Sequence, residues 1–193
     1  MDNTFVELLR QALDNQSPVG VFCDPNDPAA FAAGWVEAVT DEHVLLRHMS
    51  PHGRYDGYRL LNIEDIFRLD STGRYLERLR LLSQVREERF PRLLKADIED
   101  DANLLTETLL AVQSNEWLVR IFVLDGDDEA GWVKNIAHDT VTITRVDHFG
   151  VADFEATVHL EAISEMHCDD EELQDLRLLA RRNETEPPAW LKI

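Results

Sequence analysis

The chain has 193 residues, of which 38 are Asp or Glu and 19 are Lys or Arg, so its formal net charge is −19. Such a charge argues against general binding of nucleic acid or anionic membranes, because Lys and Arg carry phosphate contacts. Hydrophobic residues make up 44% of the sequence, too many for a disordered acidic chain.

The first half of the chain begins with a predicted amphipathic helix, in which Phe5, Leu8, Leu9, Ala12 and Leu13 share one face. Five short β-rich runs follow: VGVF, AGWVEAV, HVLLRHM, YRLLNI and DIFRL. The run RYLERLRLLSQVREERF then predicts a closing helix, with leucines three residues apart on one face. This half is therefore expected to be helix, five strands, helix.

The second half gives the same order. Its opening helix has Leu105, Leu109, Leu110 and Val112 on one face, and its strand-like runs are LVRIFVL, AGWVKNI, TVTITRV, EATVHL and AISEM. In TVTITRV, polar and apolar residues alternate, as in a half-buried strand. EELQDLRLLARR predicts the closing helix.

The two halves are related by a repeat with an offset of 97 residues. Over 34–82, 13 of 49 positions are identical to those 97 residues later, where chance gives about 3. The identities include Gly34/Gly131, Trp35/Trp132, Gly53/Gly150, Asp56/Asp153 and Leu79/Leu176. We therefore predict two domains, residues 1–97 and 98–193, each one copy of the repeat.

The repeat unit resembles the Sm-like members of the SH3-like small barrels. The residues that carry the resemblance are VRIFVLDGDDEAGWVKNIAHDTVTI in the second copy, and GWVEAVTDEHVLL with LLNIEDIFRLD in the first. The resemblance covers about 60 residues of each copy and implies a mainly β, α+β fold of two tandem barrels. The RNA-binding residues of that family are replaced here, by Leu61-Asn62 and Val158-His159 at the late Arg-Gly position.

The segment HMSPHGRYDGY is the candidate ligand site. It concentrates His48, His52, Arg54, Tyr55 and Asp56, which together suit an anion or a small polar molecule. The alternative is a plain turn, in which a glycine supplies positive φ. Since the second copy keeps only the glycine and the aspartate of this set, the turn is the favoured interpretation.

Other motifs carry less. The repeated tryptophans, Trp35 and Trp132, suit core packing better than a ligand platform. The run His167–Glu172 is consecutive and cannot converge on one metal ion, so neither a metal nor another cofactor is predicted. No nucleophile motif, P-loop or dinucleotide fingerprint occurs, and we expect no enzyme.

Charge is shared unevenly between the halves. Residues 1–97 have 16 acidic and 12 basic residues, whereas 98–193 have 22 and 7. Within the first half, 74–95 has seven basic residues and three acidic ones. This predicts electrostatic docking on an acidic partner, within the chain or on another copy. The competing interpretation is RNA binding by this basic stretch.

We therefore expect a non-catalytic binding or scaffold protein that recognises a protein or a small polar ligand, or self-associates. The alternative is an Sm-type RNA-associated regulator, although nucleic acid is the less favoured partner. The two cysteines, Cys23 and Cys168, are too few for a disulfide framework and favour the cytoplasm. No apolar run reaches the ~18 residues of a membrane span, and MDNTFVELLR lacks a signal-peptide core.

Overall fold

The structure is a computed structural model that describes residues 4–27, 30–99, 101–124, 126 and 128–185. The chain divides into two compact units, Met1–Thr108 and Leu109–Ile193. The repeat boundary predicted between residues 97 and 98 lies earlier in the chain. It stays a prediction, because it marks where sequence recurs rather than where the chain is compact.

In the described residues of unit 1 there are two complete helices and five strands. They are α1 (Thr4–Asp14), β1 (Pro18–Phe22), β2 (Ala32–Val39), β3 (His43–Met49), β4 (Tyr55–Asn62), β5 (Arg68–Asp70) and α2 (Arg74–Val85). A short 3-10 helix, Ile63–Asp65, precedes β5. The strands are antiparallel in the order β5-β1-β2-β3-β4.

Unit 2 repeats this order of elements. They are β6 (Leu118–Val123), β7 (Glu129–Ile136), β8 (Thr140–Val146), β9 (Ala152–His159), β10 (Ile163–Cys168) and α4 (Glu171–Thr185). A 3-10 helix, Leu160–Ala162, precedes β10, and the antiparallel order is β10-β6-β7-β8-β9. Helix α3 (Leu104–Ser114) precedes these strands and contains the division between the units.

The mainly β, α+β class is thus what the structure has. Within each unit, no described ladder joins the first strand of the order to the last, so closed barrels are not shown. The core of unit 1 lies between α1 and one face of the sheet, where Leu9, Val19, Val44 and Leu46 are fully buried.

The repeated glycines lie where backbones approach closely. A Cβ on Gly34 would lie 2.2 Å from the carbonyl oxygen of Arg47, and one on Gly131 would lie 2.2 Å from that of Thr144. Only glycine fits there, and a β-bulge follows each of these positions. Gly53 instead has φ of +70° in the loop that packs on α2.

The closing helix predicted over RYLERLRLLSQVREERF ends earlier than expected, so the basic stretch 74–95 is not one helix. Helix α2 ends at Val85, since Glu87 adopts a left-handed φ of 53° and the amide of Glu88 bonds back to the carbonyl of Ser83 at 2.9 Å. The chain then leaves the helix axis, and the remaining basic residues belong to an extended segment.

Candidate functional site

The extended segment 86–98 lies across the face of β2, β3 and β4 opposite the core, and we call it the covering segment. Arg47 Nη1 donates to the carbonyl oxygen of Phe90 at 3.1 Å, and the hydroxyl of Tyr58 donates to that of Pro91 at 2.9 Å. The ring of Phe90 packs on Trp35, with centroids 4.4 Å apart. One anchor therefore comes from each of the three strands.

Glu37 of β2 supplies the most buried of these anchors. Its Oε1 accepts hydrogen bonds from the amides of Leu93 and Leu94, both at 2.7 Å, and its side chain is fully buried. Burial raises the pKa of Glu37, against the lowering effect of the two amides and of Arg47. A carboxylate can be kept here because two peptide dipoles and a guanidinium face it.

Glu37 and Arg47 form an incomplete pair. Glu37 Oε2 and Arg47 Nε lie 3.9 Å apart, and neither atom makes a hydrogen bond, although both are buried. The Arg47 side chain is 17% exposed, so its outer end reaches solvent while its Nε does not. Buried polar atoms without a hydrogen bond are unusual in proteins, and this pair contains two of them.

A cleft of about 670 Å³ opens beside this pair. Its walls are the end of α1, the strand β2, Arg47 and the covering segment. The charged residues that line it are three arginines and three acids: Arg10, Arg47, Arg92, Asp14, Glu37 and Asp97. Its size is that of a site for a small molecule.

Two exposed ion pairs flank the cleft. Arg10 lies 3.4 Å from Asp41, and Arg92 lies 3.0 Å from Asp97. Exposed pairs of this kind contribute less than about 1 kcal/mol. Arg92 can therefore change partner at little cost.

The predicted ligand residues of the His48–Tyr58 segment separate into two groups. His48 is buried, and its Nδ1 lies 3.3 Å from both the carbonyl oxygen and Oδ2 of Asp56. Burial lowers the pKa of His48, against the raising effect of its hydrogen bond to the Asp56 carboxylate. Tyr55 packs edge-on against Tyr58 and Phe90.

His52 and Arg54, by contrast, are exposed. The loop that carries them is a tight turn, in which the amide of Gly53 bonds to the carbonyl of Ser50 at 2.9 Å. Tyr55 and Asp56 lie on β4 rather than in the loop. The structure thus brings His48 and Asp56 together, whereas the side chains of His52 and Arg54 are exposed to solvent. Ligand binding by this set stays a prediction.

The repeated tryptophans differ in their surroundings. Trp35 contacts Phe90 of the covering segment, whereas Trp132 packs on a cluster that includes Leu118, Val146 and Leu176. Both are packing residues, and the cause of their recurrence is the same strand position beside a close-approach glycine.

Unit 2 has a smaller cleft, of about 400 Å³, whose arginines are paired with acids. Arg120 lies 3.2 Å from Asp128 and 2.8 Å from Glu172. Arg145 lies 2.6 Å from Glu129, and its guanidinium stacks over the ring of Phe154. These cations are already neutralised within the unit.

In the part of the chain that the structure describes, no three His, Cys, Asp or Glu side chains are grouped so as to hold a metal ion. None of the helices described there combines the length and apolarity needed to cross a membrane.

Sequence reasoning missed Glu37, Arg47 and Arg92. One signal was available, since Glu37 interrupts the apolar run AGWVEAV and an acid in a buried strand requires a partner. That its partners are the amides of Leu93 and Leu94 is a tertiary fact that local pattern does not contain.

Searches of protein families, curated proteins and solved structures found nothing that matches this chain.

Proposed function

We propose that the protein is a non-catalytic binding module, and that the cleft of unit 1 receives a small polar ligand. The observation that carries the proposal is the pair Glu37–Arg47 in the wall of a cleft of about 670 Å³, a buried carboxylate beside a half-buried guanidinium whose outer end reaches solvent. Buried polar groups held in place by other hydrogen bonds provide an orienting surface for a ligand.

The absence of catalysis is part of the proposal. Glu37 is poorly placed as a base, because its Oε1 already accepts two amide hydrogen bonds and its Oε2 is inaccessible to solvent. His48 is buried against Asp56 rather than open to a substrate. Neither group meets the geometric requirement for proton transfer to a bound molecule.

For the fold we propose two tandem Sm-like, SH3-like barrels. Three features support this: the opening helix, the strand order β5-β1-β2-β3-β4, and the 3-10 helix before the last strand, all with counterparts in unit 2. The irregular register that follows Gly34 in β2 suits the bent strands of a small barrel. We also propose a cytoplasmic location, on the sequence argument from the two cysteines.

The test is ligand detection on the full chain. Native mass spectrometry of the protein purified without nuclease treatment reports retained small molecules, RNA and subunit number together. A retained small molecule, displaced from the Arg92→Gln variant and kept by Arg80→Gln, supports the proposal; Arg80 pairs with Glu77 on α2. Retained RNA, or turnover of a substrate that Glu37→Gln abolishes, contradicts it.

A further inference from the structure

Resting on the proposed function, we propose that the ligand of the unit 1 cleft is a small oxyanion. Its carboxylate or phosphate group is held by Arg47 in the wall and by Arg10 and Arg92 at the mouth.

Arg47 is the residue on which this rests. A guanidinium offers five N–H donors in a planar fork that matches two oxygens of a carboxylate or phosphate. Nη1 of Arg47 has one bond, to the carbonyl oxygen of Phe90, and Nη2 has none to any described residue. That bond, and the position of Nε beside Glu37, hold the fork in place before a ligand arrives. A preorganised donor loses little entropy on binding.

Arg10 and Arg92 add charge from two other elements. Arg10 comes from α1 and Arg92 from the covering segment, and both line the same cleft as Arg47. Arg10 is paired with the exposed Asp41, and Arg92 with the exposed Asp97. An anion in a partly enclosed cleft competes well for them, because charge-assisted hydrogen bonds strengthen away from bulk water.

A cationic ligand fits the same cleft poorly. Glu37 is the acid nearest the wall, but its Oε1 is used by the amides of Leu93 and Leu94 and its Oε2 is buried. The side chain of Asp97 is almost fully exposed and pairs with Arg92. Glu37 and Asp97 therefore serve the covering segment and Arg92, and Asp14 is the acid of the lining that a cation would meet.

The overall charge of −19 bears on ligand size. An acidic protein repels polyanions over long range, whereas a small oxyanion at physiological salt is screened until it reaches the cleft. The inference is therefore restricted to small molecules, and RNA is an outcome that would overturn it.

The experiment is a titration of the 15N-labelled full chain followed by 1H–15N spectra at low salt. Two probes, inorganic phosphate and succinate, distinguish a phosphate from a carboxylate ligand; putrescine and glycerol are the cationic and neutral probes. We expect saturable shifts of the Leu93 and Leu94 amides with at least one oxyanion. Arg92→Gln should weaken binding about tenfold, and the control Arg80→Gln should not.

Arg47→Lys tests the fork itself. It keeps the charge but not the bidentate geometry, so binding should weaken about tenfold. It also loses the hydrogen bond to Phe90, so the control is Tyr58→Phe, which loses a bond to the same segment but keeps the fork and should bind as the wild type does. Equal affinity in Arg47→Lys, Arg92→Gln and the parent would overturn the inference. Saturable binding of putrescine or glycerol at these amides, without either oxyanion, overturns it and leaves the proposed function standing. Absence of any shift with all four probes contradicts both.

Discussion

The strand positions that meet the covering segment in unit 1 have different surroundings at their equivalents in unit 2. In unit 1, Glu37 and Tyr58 reach the covering segment. Their counterparts 97 residues later are Lys134 and Glu155, which form an ion pair with each other in solvent. Strand geometry is shared between the units, but the side chains on this face are not.

That difference shows how a repeat acquires a site in one copy. The glycines that recur, Gly34 and Gly131, allow the close approach of a carbonyl oxygen on the neighbouring strand, and this is needed in both units. Glu37 and Arg47 are replaced by Lys134 and Thr144 without harm to the sheet, because a face open to water accepts many residues. Where a segment covers the face, as in unit 1, the same positions accept only residues that can bond to that segment.

The largest expected effect tests what the units share. Gly34→Ala and Gly131→Ala each place a Cβ 2.2 Å from a carbonyl oxygen, so each should destabilise its own unit by more than about 4 kcal/mol. Hydrogen exchange of the full chain, read unit by unit, measures this. The control is Gly20→Ala, where the nearest atom lies at 3.5 Å. If both alanines are tolerated as well as Gly20→Ala, the close approach of the strands at these two positions is contradicted.

The next effect should separate the units. Glu37→Ala removes the acceptor of two buried amides and should cost about 2 to 3 kcal/mol in unit 1. Lys134→Ala, at the equivalent exposed position of unit 2, should change stability by less than about 0.5 kcal/mol. The readout is the exchange protection of the Leu93 and Leu94 amides. Similar losses from both variants would remove the distinction between the two faces.

Acidity should also act on unit 1. The pKa of His48 is lowered by burial from its ordinary value of 6.5, so below about pH 6.5 the unfolded chain takes up a proton that the folded chain does not. This contribution to stability is present above pH 6.5 and is lost as the pH falls below it, at most about 1.4 kcal/mol per pH unit.

Urea midpoints between pH 7.5 and 5.5 measure that dependence. His48→Gln should reduce it, and the remainder is expected from His43, whose pKa burial also lowers. His52→Gln, at an exposed position in the same loop, is the control. Glu37 acts in the opposite sense, because its pKa is raised and its burial costs less once it is protonated. A slope unchanged in His48→Gln would show that His48 is not the group responsible.

The smallest expected effect concerns Tyr58. Tyr58→Phe removes the hydrogen bond to the carbonyl oxygen of Pro91 and should cost about 1 kcal/mol. Tyr75→Phe, in a residue that is 40% exposed on α2, should cost less than about 0.5 kcal/mol. Denaturation of both variants in parallel is sufficient. Equal midpoints would mean that the hydroxyl does not hold the covering segment.

Much of the secondary structure was predictable because it depends on local pattern. The run TVTITRV coincides with β8, since alternation and β-branched residues specify a strand within seven positions, and the apolar run HVLLRHM coincides with β3. The end of α2 was not predictable in the same way. Leu76 and Leu79 continue a helical pattern, and Glu87 ends it by adopting a left-handed backbone. No glycine or asparagine marks that position in the sequence.

The candidate site was less accessible to sequence reasoning. Proximity in the chain drew attention to His48, His52, Arg54, Tyr55 and Asp56, of which the fold buries some and exposes others. The cleft instead joins Arg10, Arg47 and Arg92, which are separated by tens of residues. The packing of α1 on the strands places Arg10 near Arg47 of β3, and the path of the covering segment adds Arg92.

The sequence by itself determined the order of elements, the repeat and the acidic charge, because each follows from neighbouring residues, from self-comparison or from a count. Tertiary structure decided which face of which sheet is covered and whether a carboxylate such as Glu37 is an exposed charge or a buried acceptor. The physical reason is that burial and hydrogen bonding depend on segments distant in the chain, whereas strand and helix periodicity depend on adjacent ones.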